Sequence, residues 1–203
     1  GLAFDEDRIV AVPGAKRVYS NVGIDLVTEI AAGRAGLRHG RALIEQRVLT
    51  PLGMADTVIN GPASHGAAGS TFDLARLADE LLSPRVLRPE VIDACATPQF
   101  PGLSGVLPGF GRQADNLWGL GCELRGTKDP HWLPASADPA SFGHFGQSGS
   151  FLWVDRSAGL AVVAATGTAF GPWAAQAWPR DLGRWLESWG RVPVAARQWE
   201  LVS

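Results

Sequence analysis

The chain has 203 residues, of which 46% are hydrophobic and 19% charged, with a formal net charge of -2. That length and balance suit one sizeable domain or two small lobes around an apolar core, and they argue against a disordered chain. The near-neutral charge favours neither nucleic acid nor an anionic membrane, and no apolar run reaches the ~20 residues of a spanning helix.

Residues 1–12 are mixed and read mostly as loop, with no basic stretch followed by an apolar one to mark a signal peptide. The compartment stays open, with the cytoplasm ahead of export. Pro13-Gly14 is a turn signal that delivers the chain to Tyr19-Ser20-Asn21. A helix follows from Asn21, because Val22, Leu26, Val27, Ile30 and Ala31 recur at helical spacing. Ser20 or Asn21 can cap it, and Gly33 and Gly36 end it. A second helix is expected over roughly 38–50, stopped by Pro51 and Gly53, and then a loop over 57–69. A third helix has the clearest pattern. Ser70 or Thr71 caps it, Leu74, Leu77, Ala78, Leu81 and Leu82 form one stripe, and Pro84 terminates it. Pro89 opens a short helix over 90–96, since proline costs little at a first helical position.

Residues 97–117, rich in proline and glycine, read as one long loop marking a change from helices to strands. Strands are expected over 118–125, 141–147, 150–154 and 160–166, the last two joined as a hairpin through Asp155–Gly159. Trp178, Leu182, Trp185, Leu186 and Trp189 lie on one face of a closing helix, with Pro179 at its start or at a kink. Helices segregated from antiparallel strands make an α+β arrangement. Cys95 and Cys122 read as two buried thiols, with a disulfide between them as the alternative, and no metal-type Cys/His spacing occurs.

Two stretches carry candidate chemistry. Tyr19 and Asn21 can be a packed tyrosine ahead of a capping asparagine, or a proton-shuttling phenol beside a carboxamide that holds a substrate. A free phenol has a pKa near ~10, so it needs nearby cations to serve as a base near neutral pH. His144 lies in Ser141-Phe142-Gly143-His144-Phe145-Gly146-Gln147-Ser148-Gly149-Ser150, where small residues let a ligand approach the strand backbone. The plainer reading is a strand with a surface histidine. His39, His65 and His131 lack such surroundings. No nucleophile motif occurs: the 203 residues contain no Ser-x-x-Lys and no Gly-x-Ser-x-Gly.

In order and spacing, these stretches resemble the serine β-lactamase and penicillin-binding-protein superfamily, in its class C-like branch of β-lactamases, D-alanyl-D-alanine carboxypeptidases, D-aminopeptidases and lactamase-like esterases. PGAKRVYSNVGIDLVTEI is similar to the Tyr-x-Asn segment, LTPLGMADT to the stretch after it, and AAGSTFDLARLADELL to a helix of the helical lobe. GHFGQSGSFLWVDRSAGLAVV is similar to the strand that carries Lys-Thr-Gly and its next hairpin. The resemblance implies a β-lactamase/DD-peptidase-like fold, an antiparallel sheet flanked by helices plus a helical lobe. Residues 1–203 would be the C-terminal part of one such domain, with the Tyr-x-Asn segment and helical lobe over about 1–117 and the strands and last helix over about 118–203.

Two departures shape the expectation. The family's Ser-x-x-Lys lies further ahead of Tyr-x-Asn than the 18 residues available here, so the fold is expected to be truncated at its N-terminus near Gly1-Leu2. Such a part would have a raw sheet edge and no activity alone. His144-Phe145-Gly146 stands where the family usually has Lys-Thr-Gly; a neutral imidazole gives up carboxylate binding and makes a penicillin-type substrate a poorer match. The resemblance implies acyl transfer from an ester or amide through an acyl-enzyme. Tyr19 and His144 would be catalytic. Asn21 would hold substrate, and Gly146 and the backbone N–H of Gln147 would form the oxyanion side. No cofactor or metal is implied. The expected partners are a small ester, amide or peptide substrate, and the N-terminal remainder of the same protein or a second copy, with no nucleic acid and no membrane. A non-catalytic peptide- or ester-binding module and a strand-exchanging fragment remain as alternatives.

Overall fold

Capping and proline placement set the helices, and three apolar runs separated by short turns set the sheet. The computed structural model describes residues 11–190; the loop expected over the first ten residues, with Gly1-Leu2, lies outside them. Helix α1 spans Asn21–Arg34. Ser20 is its cap, the hydroxyl accepting from Gly23 N–H at 3.1 Å and so satisfying a free donor of the first turn. Gly36 ends it at φ +73°. Leu37 N–H then reaches back to Ala32 O at 2.9 Å and Gly36 N–H to Gly33 O at 3.1 Å, a glycine stop of the Schellman kind.

Helix α2, Gly40–Ile44, runs on into a π-helical turn, Glu45–Leu49, where one regular helix was expected. Thr50 N–H bonds Glu45 O at 2.9 Å, the wider i→i+5 pattern, directly before Pro51. Helix α3, Thr71–Leu82, is capped by Ser70, which accepts from Asp73 N–H at 3.2 Å. Helix α4 is Pro89–Ala96, with the proline at its first position.

Two stretches expected as loop contain hairpins: β1 (Val58–Ile59) with β2 (Ala67–Ala68), and β3 (Gly105–Leu107) with β4 (Gly111–Gln113). Their glycine and proline content hides strands of two or three residues. The strand expected over 118–125 shrinks to β5, Glu123–Leu124, because Gly119 to Gly121 turn the chain, with Gly121 at φ +80°. Strands β6 (Phe142–Phe145), β7 (Phe151–Asp155) and β8 (Leu160–Ala164) complete an antiparallel sheet in the order β5-β6-β7-β8. Helix α5, Trp178–Gly190, follows a π-helical turn, Trp173–Ala177.

Alternation along the strands divides the core in two. On one face Phe151 and Trp153 pack with Trp132, Leu133 and Leu182 of α5. On the other, Leu124, Phe142, Leu152 and Val154 meet Ala78 and Leu81 of α3 and Ile92 of α4. The α+β arrangement read from sequence is therefore the one observed. The apolar face expected on α1 is not covered: Ala32 is its one buried residue, while Val22, Ile24, Ile30 and Val27 (65% exposed) face outward. Among the described residues these four side chains stay between 48% and 65% exposed. Cys95 and Cys122, expected as buried thiols, are free and half-buried.

Gly143 decides how closely β6 and β7 pack. A Cβ there would stand 2.1 Å from Leu152 O and 2.9 Å from Trp153 Cα. Both are backbone atoms of β7 and cannot swing aside. Gly143→Ala is expected to lower unfolding stability by about 1–3 kcal/mol, read as a lower urea midpoint. A midpoint equal to the wild type would contradict the close approach.

Candidate active site

Tyr19 is positioned from both sides. Ahead of it, Arg17 forms an isolated parallel bridge with Gly105, its N–H donating to Ser104 O at 2.8 Å. The Arg17 guanidinium also donates to the carbonyls of Gln99 at 2.5 Å and Phe100 at 3.3 Å. Behind it, Ser20 starts α1. The hairpin hidden in the long 97–117 stretch is thus a support for the tyrosine. The Tyr19 ring lies 6.1 Å from the His144 ring and 5.9 Å from Trp118, and Trp118 stands edge-on to His144 at 5.7 Å. Two sequence candidates, Tyr19 and His144, are brought together. Trp118 joins them unforeseen, its only sequence signal being that a tryptophan can line a cleft.

Asn21 is exposed at the first position of α1. After β6 the chain turns tightly: Gly146 N–H donates to Ser150 O at 2.7 Å, and Gly149 N–H to Gly146 O at 3.0 Å. Gln147 is exposed, and its carbonyl accepts from Phe170 N–H at 3.0 Å. Its own N–H has no acceptor among the described residues.

The electrostatics treat the two rings differently. Burial, reinforced by the Glu123 carboxylate, raises the Tyr19 phenol above its ordinary value. Burial also lowers His144, more than Glu123 and its backbone contact restore, so the imidazole is neutral near pH 7.

Glu123 belongs to a buried polar network that sequence reading missed. Its Oε1 accepts from His131 Nε2 at 2.7 Å and lies 3.2 Å from Lys128 Nζ, and its Oε2 accepts from Trp132 Nε1 at 2.8 Å. Lys128 Nζ also donates to Leu117 O at 2.7 Å and to Leu124 O. Leu133 N–H donates to His131 Nδ1 at 2.9 Å. That bond fixes the neutral tautomer, with the proton on Nε2 given to Glu123. Buried charges survive only when paired and hydrogen-bonded, and Glu123 with Lys128 meets that condition. A His131 beside Trp132 offered little in sequence to distinguish it from a surface residue.

Desolvation by burial keeps both His131 and His144 below the ordinary histidine value. Below ~6.5 the unfolded chain takes up protons that the folded chain refuses. Stability therefore falls as pH drops from ~6.5 towards the lowered folded values, and is fully present above ~6.5. Urea midpoints measured from pH 7.5 downward are expected to decline through this window. A flat profile would mean that the two imidazoles ionise freely in the fold.

A cavity of about 660 Å³ is lined by Asp25, Glu29, His39 and Arg41 among others, and none of the candidate residues borders it. Its carboxylates are engaged internally. Glu29 accepts from Gly40 N–H at 2.9 Å, and Asp25 from the Ser64 N–H and hydroxyl at 2.9 and 3.1 Å. Among the described residues no cluster of His, Cys, Asp and Glu is placed to hold a metal, and no helix is long and apolar enough to cross a membrane.

A family model described as Beta-lactamase matches residues 3–184. A solved beta-lactamase from Mycobacterium bovis is 41% identical, with a TM-score of 0.85, covering 93% of this chain and 70% of that one. The hydrolase EstCE1, which has promiscuous acyltransferase activity, is 18% identical with a TM-score of 0.62, over 80% of this chain and 54% of its own. A D-stereospecific amidohydrolase from Streptomyces is 20% identical with a TM-score of 0.56, over 75% of this chain and 51% of its own. At those identities the last two share the fold alone. No curated protein matches the chain.

Proposed function

The chain belongs to the beta-lactamase family, and within it we propose a serine hydrolase that cleaves an ester or amide through an acyl-enzyme, its nucleophile supplied by a Ser-x-x-Lys motif outside these 203 residues. The observation that carries the reading is the meeting of Tyr19 and His144, from motifs far apart in the chain, with ring centroids 6.1 Å apart. The free N–H of Gln147, three residues beyond His144, supports it as half of an oxyanion hole. Such a donor is typically worth ~3 kcal/mol of transition-state stabilisation. The serine Oγ attacks the carbonyl carbon, Tyr19 takes its proton, and the proton passes on to the leaving group. His144 orients the phenol, Asn21 holds the substrate's amide or the motif lysine, and Gly146 lets the acyl group approach the strand.

Burial and Glu123 hold the Tyr19 phenol above its ordinary value, so a base at that position needs a cation beside it. The motif lysine has that chemistry. We also propose that residues 1–203 form part of one domain and that the remainder covers the outward apolar side of α1 and pairs with β8, an outer strand of the described sheet. The neutral His144 favours uncharged esters and amides over a substrate bound through its carboxylate.

The complete protein, assayed with a chromogenic short-chain ester, nitrocefin and a fluorophosphonate probe, tests this. We expect ester turnover and probe labelling, with nitrocefin the poorer substrate. If both substrates stay intact and the probe labels nothing, the catalytic reading is wrong. The absence of Ser-x-x-Lys from the 203 residues favours a second reading, a non-catalytic ester- or peptide-binding module. The coding sequence ahead of Gly1 separates the two.

A further inference from the structure

We infer that Cys95 and Cys122 form an oxidisable dithiol, at which a small-molecule disulfide closes a bridge between α4 and the turn into β5. Cys95 lies in the last turn of α4, and Cys122 stands directly before Glu123. The backbones that carry them are already fastened together. Leu120 N–H donates to Ala94 O at 2.9 Å, and Gly119 N–H donates to Cys122 O at 2.8 Å. Gly119 is pressed so closely on α4 that a Cβ there would come within 1.8 Å of Cys95 O. The two thiols are close enough to perturb each other's ionisation, and both are half-buried rather than sealed. A disulfide tolerates little error in backbone separation, and these ties hold the two backbones against each other.

The pair is also chemically unequal. The neighbouring Cys122 thiol holds the Cys95 thiol below its ordinary value; burial opposes this and the Arg156 charge assists it. Arg156 is itself fixed, donating to Asp93 Oδ1 at 2.7 Å and to Leu81 O at 3.2 Å. Cys122 is pushed up by its Cys95 neighbour and by burial. Arg156, held at Asp93 two residues before Cys95, puts a cation on the Cys95 side of the pair and makes Cys95 the attacking group and Cys122 the resolving one.

The reaction balances with one disulfide as oxidant. The Cys95 thiolate attacks one sulfur of the small disulfide, whose S–S bond breaks, and one thiolate leaves. Cys122 gives up its proton to that thiolate and attacks Cys95 Sγ, and the second small thiolate leaves and is protonated by solvent. Two protein thiols are oxidised and one disulfide is reduced to two thiols. The bridge would stiffen the segment that carries Trp118, whose carbonyl accepts from Gln99 N–H at 2.8 Å.

The test uses the reduced complete protein with excess oxidised glutathione, followed by maleimide capping and mass spectrometry of the peptides that carry residues 95 and 122. The expected product is a monomer whose two cysteines at these positions have lost two hydrogen atoms, bind no maleimide and retain no glutathione, with a peptide map joining residues 95 and 122. Cys122→Ser is expected to retain one glutathionyl group on Cys95. A wild-type chain that at these positions keeps two glutathionyl groups, takes up two maleimides, or links to a second chain would overturn the inference, and each of these outcomes is read without any variant.

Discussion

Tyr19→Phe in the complete protein is expected to lower kcat/KM for a chromogenic ester by a factor on the order of 10² to 10⁴, the usual contribution of a positioned acid or base. The substitution removes one oxygen and keeps the ring. The contacts to Trp118 at 5.9 Å and His144 at 6.1 Å survive, and Tyr19 is 44% exposed, so its hydroxyl is not holding a buried partner. The urea midpoint should therefore stay at the wild-type value while the rate collapses. The same phenol offers an independent check, because Tyr19 is the chain's single tyrosine and tyrosinate absorbance reports on it alone. In the 203-residue chain it should ionise above the ordinary ~10, as burial and Glu123 dictate. In the complete protein a neighbouring cation should pull it down. A rate within a few-fold of wild type would remove Tyr19 from the mechanism.

Glu123→Ala should lower unfolding stability by on the order of 3–5 kcal/mol. Glu123 and Lys128 are both almost wholly buried. Removing the carboxylate leaves an ammonium group with only carbonyl partners, and leaves the Nε2–H of His131 and the Nε1–H of Trp132 without an acceptor. Deleting one partner of a buried pair is costly because the other stays desolvated. Glu123→Gln keeps an acceptor oxygen and should lose less. Replacing Glu123 and Lys128 together by methionine should recover much of the loss, since no unpaired charge then remains. Equal urea midpoints for the alanine variant and the wild type would show the network to be dispensable.

Helix entrances and apolar strands were legible in the sequence because their signals are local. Ser20, Ser70 and Pro89 announce three helix starts, and the runs at 142–145, 151–155 and 160–164 alternate or bury as strands do. The meeting of Tyr19 with His144 was reached through resemblance, since no local rule relates residues so far apart. Three features escaped for physical reasons. The hairpin of β3 and β4 is too short to outweigh its glycines and prolines. Trp118 acquires its place only from the turn at Gly119 to Gly121. The Glu123–Lys128–His131 network consists of residues whose types are normally found at the surface, and only three-dimensional pairing makes their burial tolerable. The converse held for α1, where a sound helical pattern pointed to a buried face that is left open among the described residues.

The ties that hold Arg17 also set an order of events on unfolding. The segment leading to Tyr19 is fastened by Arg17 to Ser104, Gln99 and Phe100, partners more than eighty positions away along the chain. Strands β7 and β8, by contrast, are joined by the four residues Arg156 to Gly159 and pair over five residues each. Contacts of long sequence separation form late and are entropically dear, and a segment held by a few hydrogen bonds opens at lower free energy than a sheet packed on both faces. Mild denaturant should therefore release the tyrosine from the histidine while the far-ultraviolet signal of the sheet is still intact. Inactivation would then precede unfolding, and the molecule's working lifetime would be set by this tether and not by its core.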